Sequence, residues 1–315
     1  MITKDIKITT HIGSLSVKSI MSAKILDPNG ELSEAQKPKA IPYKGICYHL
    51  HAGYSRDIKA TADQMLYVKR KDMLDNFGEP QWMSVRDIQV GDYICYPIIG
   101  AQNEPDLAML QDENIFYLLG RYAADGYALY DSIVVAGNAN PRMMVALNKL
   151  NVNSRYDNGN TLVESKALRR WCVEHIGKNN KTIDTTILCL KNKYLRFFIE
   201  GYVDGSSETF EGGIVFIAKS YNIAIGLAQC IAKVYNLPTK IRPYTYVDNE
   251  TIIEYNVIMP TGNISDESVD CDSKGMWYRV KSKHPLEIDA KMYSIEGTYI
   301  ANNLITKENE KEKFF

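Results

Sequence analysis

Long apolar runs are missing from this 315-residue chain. No stretch approaches the roughly 18–20 unbroken apolar residues of a membrane helix. The opening MITKDIKITTHIG lacks the apolar core of a secretory leader, so a secreted protein is not expected. Cysteine is sparse and scattered: Cys47, Cys95, Cys172, Cys189, Cys230 and Cys271 form no C-x-x-C pair. Disulfide scaffolds and zinc ribbons are therefore excluded, which leaves buried thiols in a reducing compartment. An excess of either charge is also absent. The 37 Lys and Arg residues face 38 Asp and Glu, for a net charge of −1, so this is no polycation that coats nucleic acid indiscriminately. Only five histidines occur. His49 and His51 alternate along one strand face without an evident third metal ligand, and His11, His175 and His284 stand alone, so structural roles are expected for all five.

What is present suits a folded protein. Hydrophobic residues make up 45% and charged residues 24%, ordinary for globular cores, and the length favours two domains or one domain with a large insertion. Charge is regional. Residues 166–196 carry Lys166, Arg169, Arg170, Lys178, Lys181, Lys191, Lys193 and Arg196 against Glu174 and Asp184, which is either a local basic surface or a solvated helix face. The first hundred residues read as short strands with turn signals such as Gly91-Asp92. After IIGAQNEPD the texture changes. ENIFYLLGRYAADG has helical spacing, Asn140-Pro141 opens a second helix, strands flank Asp157-Asn158-Gly159, and SKALRRWCVEHIG forms a helix stopped by Gly177. From Lys191 the same order of helix, strands, helix, strands begins again, an approximate internal duplication. Residues 261–273 read as a polar linker, β texture then returns, and TKENEKEKFF is a charged tail.

Two segments carry the chemistry. In Leu118-Leu119-Gly120-Arg121-Tyr122-Ala123-Ala124-Asp125-Gly126, a small residue within a helix precedes a terminal Asp-Gly by five positions. Two such helices packed backbone to backbone bring their terminal carboxylates together, where they can hold a divalent metal against a phosphate. Read alone, the segment is equally an amphipathic helix capped by Gly126. The second copy, Ile199-Glu200-Gly201-Tyr202-Val203-Asp204-Gly205-Ser206-Ser207, follows Phe197-Phe198 and aligns on the glycine. It places Ser206 where the first copy has Asp125.

These nonapeptides resemble the signature of the LAGLIDADG homing endonucleases. The resemblance implies a site-specific endonuclease acting on a long asymmetric site in double-stranded DNA, as a monomeric pseudodimer that needs Mg²⁺ or another divalent cation. Asp125 is then the catalytic acid, Ser206 marks the missing second acid, and Glu208 is a substitute. Asp125, Gly205 and Glu208 are the implied metal-binding positions. Lys181, in Lys181-Thr182-Ile183-Asp184, resembles the family's K-x-I-P block with Asp184 in place of proline, and Lys281 and Lys283 are candidates for its second-half equivalent. Strands within 128–138, 153–164, 209–219 and 239–260 would read DNA through Tyr127, Tyr130, Arg155, Tyr156, Lys219, Lys240, Arg242, Tyr244 and Tyr246. Loss of the second acid leaves nicking, weakened cleavage, or a cleavage-deficient DNA-binding protein.

The flanks resemble inteins. Thr61-Ala62-Asp63-Gln64 stands where inteins carry T-x-x-H, Trp82–Pro97 is similar to the following segment, and Met292–Glu296 with Thr298–Asn303 resembles the C-terminal blocks. Splicing is not expected: Met1 is no nucleophile, Gln64 replaces the activating histidine, and Lys307-Glu308 falls where His-Asn is required. The expected fold is α+β, an all-β intein-like (Hint) module interrupted by a duplicated αββαββα endonuclease domain, as in free-standing intein-derived endonucleases. The expected boundaries are 1–98, 103–268 (halves 103–190 and 191–268), 269–308, and a tail at 309–315. The expected location is the cytoplasm, or wherever the target DNA resides.

Overall fold

The computed structural model describes the chain except residues 21–22, 28, 35–36, 54–56, 73–75, 246–251, 261–268, 273–274, 296–297, 302–303 and 308–315. The charged tail at 309–315 thus lies outside the described residues. The fold is α+β and divides into two compact units, Met1–Gly100 with Asn263–Phe315, and Ala101–Gly262. Among the described residues, no helix is long and apolar enough to cross a membrane.

The first unit is built of antiparallel strands around one long ribbon. Gly275–Ser294 pairs with Lys39–Ala52 along most of its length, and its opening residues pair with Tyr93–Pro97. The Gly91-Asp92 turn forms, with Gly91 at φ +101°. Asp92 is buried there because Arg70 grips both its oxygens, at 2.8 and 2.7 Å, and the Gln89 N–H adds a third bond. Part of the expected linker is structured: Val269–Asp272 is a strand, and Asp270 and Asp272 both pair with the buried Lys69 amine. Polar sequence was misleading at that point, because its half-buried acids answer a buried cation.

The second unit repeats a helix-and-hairpin arrangement. Its first half contains α1 (Asn114–Ala124), β1 (Tyr127–Leu129), β2 (Ser132–Ala136), α2 (Pro141–Leu150), β3 (Asn153–Asp157), β4 (Asn160–Glu164), α3 (Lys166–His175) and the short α4 (Thr185–Leu188). Its second half contains α5 (Asn192–Ser206), β5 (Ser207–Phe210), β6 (Gly213–Ala218), α6 (Tyr221–Tyr235), β7 (Lys240–Thr245) and β8 (Ile252–Pro260). The sheets have matching orders, β1-β2-β4-β3 and β5-β6-β8-β7. Local chemistry sets the helix ends. Asn140 caps α2 by accepting from the Met143 N–H, with Pro141 at the first turn, and Ser165 and Ser220 cap α3 and α6 in the same manner. Asn151 and Asn236 close α2 and α6 in the left-handed conformation.

The centre of this unit is the contact of α1 with α5. A Cβ built on Gly120 would lie 2.0 Å from the Phe198 carbonyl oxygen, and one on Gly201 would lie 1.9 Å from that of Tyr117. Each helix therefore presses its backbone against the other, an approach that only glycine permits. We expect Gly201→Ala to destabilise the Ala101–Gly262 unit by about 3 kcal/mol or more, as overpacking against a backbone that cannot yield. Urea denaturation monitored through Trp171 checks this, and an unchanged midpoint would contradict the close approach.

Candidate functional site

The glycine contact brings the ends of α1 and α5 side by side. Gly120 and Gly201, Asp125 and Ser206, and Ala136 and Ile217 are each 81 residues apart, so the duplication keeps its register from the helices into the second strand of each sheet. Asp125 is the residue just after α1. Its Oδ2 accepts from Arg121 Nη2 at 3.2 Å, and its Oδ1 accepts from the Ala136 N–H at 3.4 Å. Burial raises the pKa of this carboxyl, with Arg121, the Ala136 amide and Lys181 opposing. A Cβ on Gly205 would lie 3.5 Å from Asp125 Oδ2, so these two expected ligands do come together.

Ser206 ends α5, and its hydroxyl donates to the Ile217 carbonyl at 3.1 Å, on the strand equivalent to that of Ala136. Asp204 does not fill the gap: its Oδ2 accepts from the Tyr117 hydroxyl at 2.5 Å and from Asn140 at 3.4 Å. Glu208 is exposed on β5 in one row with Val215, Ile258 and Lys240, which is the register place of Tyr127 and not of Asp125. Among the described residues, no group of three or more His, Cys, Asp or Glu is placed to hold a metal ion.

Lys181 does reach the helix junction. Its amine donates to the carbonyls of Tyr122, Ala123 (3.3 Å) and Gly126 (2.6 Å) at the end of α1, and it lies 4.8 Å from the Tyr122 ring centroid. Burial pushes its pKa down to about 8; the charge of Asp125 opposes this and that of Lys219 adds to it. Asp184, where the resemblance has proline, caps α4 through the Ile187 N–H and pairs with His175 Nδ1 at 2.8 Å, so His175 is not isolated. Lys281 and Lys283 belong to the other unit, on its longest strand, where the Lys283 amine donates to the Arg86 and Ile88 carbonyls. The sequence offered no motif to choose between them. His49 and His51 also gain a partner there, each bonding one oxygen of Asp57.

The expected DNA-contacting residues fall on the sheets. Register places Tyr127, Val134, Leu162 and Arg155 in one row across the first sheet. The opposite face, with Ala128, Ile133, Val135 and Val163, is buried. Tyr130, 88% exposed at φ +42°, projects from the β1–β2 turn. Tyr156, also exposed, alternates to the face opposite Arg155. In the second sheet Lys240, Arg242 and Tyr244 share the face of Glu208, while Phe216, Ala218 and Val257 fill the core. Lys219 is exposed between β6 and α6. Tyr246 lies outside the described residues.

Sequence reasoning missed Arg121. A charged residue in the middle of a signature helix was its only signal, and tertiary packing makes it 7% exposed beside Asp125.

No known protein-family profile matches the chain, and no curated protein does. Among solved structures, the chain is similar to I-DmoI in complex with DNA and Mn, at 15% identity and a TM-score of 0.36, over 47% of this chain and 89% of that one. It is similar to I-DmoI in complex with DNA and Ca at 14% identity and a TM-score of 0.36, over 48% and 84%. It is also similar to the homing endonuclease I-WcaI bound to its DNA recognition sequence, at 10% identity and a TM-score of 0.34, over 50% and 79%.

The position of Lys181 gives a direct prediction. Its amine should titrate near 8 by heteronuclear NMR of the lysine side chains. Asp125→Asn should lower that value further, because the lost carboxylate favours the charged amine. A value at the ordinary lysine position, or one that ignores Asp125, would contradict the geometry.

Proposed function

We propose that the Ala101–Gly262 unit is a LAGLIDADG-type site-specific DNA endonuclease domain, acting on double-stranded DNA as a single-chain pseudodimer. The observation that carries this reading is the meeting of α1 and α5 at Gly120 and Gly201, which sets Asp125 beside Gly205. In this reading the open faces of the two sheets lie along DNA. Arg155, Lys240 and Arg242 reach phosphates or guanine edges, and Tyr127, Tyr130 and Tyr244 make aromatic contacts. Lys219, at the end of β6, adds a phosphate contact.

The residues present fit one divalent cation and not two. Magnesium is commonly held by one or two carboxylates together with substrate phosphates and water. Asp125 and the Gly205 backbone would hold it jointly with DNA, whereas Glu208 stands apart on the sheet face. Such a cation, when bound, polarises a phosphate and lowers the pKa of its water. Asp125 fixes the position of that charge, and the Lys181 amine beside it offsets charge that builds on phosphate. Ser206 adds no anionic ligand, so one strand is favoured over the other and nicking is the expected product.

A second reading, a DNA-binding protein that no longer cuts, is favoured by one observation: Asp125 already holds an internal cation, Arg121. The remaining unit is read as an intein-like (Hint) module without splicing. Two contacts support the likeness. Ile2 bridges Ala60 and Tyr293, and the Met1 amine donates to Thr61 Oγ1 at 2.7 Å, so the two intein-like segments meet there. Gln64 is buried at the position read as the activating one, and its amide neither takes up nor delivers a proton near neutral pH.

The test uses duplexes that the protein selects from a randomised pool, cloned into supercoiled plasmid and incubated with Mg²⁺. The protein should nick, Asp125→Asn should be inert, and Ser206→Asp should linearise. Binding without nicking by the unsubstituted protein supports the second reading, and failure to select any duplex sinks both. Arg242→Ala and Lys240→Ala should each weaken binding and reduce the log-log salt slope by about 1, measured by fluorescence anisotropy.

A further inference from the structure

We propose that Arg121 is the resident counter-cation of Asp125 and keeps divalent cations out of the helix junction until DNA is bound. The inference rests on the endonuclease reading and deepens it at the same site.

Three observations carry it. The first is occupancy. Arg121 Nη2 bonds both Asp125 Oδ2 and the Ala136 carbonyl, the latter at 2.5 Å. The place of a Gly205 Cβ lies 3.3 Å from Arg121 Nε and 3.5 Å from Asp125 Oδ2, so the guanidinium lies beside both proposed ligand residues. The second is the state of Arg121 itself. It is 7% exposed, and its Nε is buried without a hydrogen-bond partner. A buried guanidinium with an unmatched N–H is costly, and the charge of Asp125, together with the Ala136 carbonyl, offsets that cost.

The third is an internal control supplied by the duplication. The residue 81 positions beyond Arg121 is Tyr202, whose hydroxyl donates to the Ile217 carbonyl at 3.0 Å, as Arg121 does to Ala136. The half that keeps its acid has an arginine at this place, and the half with Ser206 has a neutral hydroxyl in its stead. Cation and acid occur together or not at all. A divalent ion arriving at Asp125 meets a fixed positive charge across a few ångströms of partly buried space, where screening is weak. Phosphate oxygens from DNA supply the negative charge that lets it enter.

Manganese binding to the DNA-free protein, read by electron paramagnetic resonance of free Mn²⁺, tests this without reference to cleavage. The unsubstituted protein should leave the free-ion signal unchanged at millimolar Mn²⁺. The sharper comparison holds the number of acids constant. The double variant Ser206→Asp with Arg121→Leu should bind Mn²⁺ at least tenfold more tightly than Ser206→Asp alone. Arg121→Gln, which keeps a donor for Ala136 without the charge, replaces Arg121→Leu should the latter melt early. Equal affinity of the single and double variants would overturn the proposal, as would Mn²⁺ binding by the unsubstituted protein without DNA. Anisotropy with selected duplexes in EDTA, on the same preparations, judges the DNA reading separately. Loss of that binding removes the function and leaves the manganese result to stand or fall by itself.

Discussion

Everything in the Ala101–Gly262 unit depends on two helices that touch through their backbones. Gly120 and Gly201 each face a carbonyl oxygen at a distance that no side chain tolerates. That contact does more than bury apolar surface. It aligns the C-terminal ends of α1 and α5, and each helix end feeds directly into the first strand of its own sheet, so the position of the junction and the aim of both sheets follow from one crossing. Interiors pack at crystal-like density, so little slack exists for the helices to part and re-form elsewhere.

The junction then has to manage charge in a place with little water. In the first half, Asp125 is paired with Arg121, and Lys181 is held by three carbonyls at the end of α1. In the second half, Tyr202 and Ser206 satisfy the same strand carbonyl with neutral hydroxyls. The two halves solve one problem in two ways, and the result is a charged half set against a neutral one. The same logic explains the structured part of the polar segment, where Asp270 and Asp272 answer the buried Lys69. Acidic sequence looks like linker until the cation it serves is located.

Much of the local structure could be read in advance because its causes are local. Asn140-Pro141 announces a capped helix through a side-chain acceptor and a fixed φ, and the prediction needs no partner from elsewhere in the chain. Gly91 marks a turn for the same kind of reason. The glycine spacing in the two signature helices announced their packing, since a small residue in a long apolar helix has few other uses. Lys281 and Lys283 rested on position along the chain alone, and the strand that carries them, Gly275–Ser294, belongs to the other unit.

By itself, then, the sequence determined the α+β class, the helix ends, the internal repeat and the absence of an acid at Ser206, since all of these are matters of residue type and short spacing. Only the tertiary structure decided which charges meet. Arg121 and Asp125 are four residues apart on paper, an ordinary surface spacing. Crossing by α5 shields that pair from water, and at low water content a modest ion pair becomes a strong constraint on what else the site can hold.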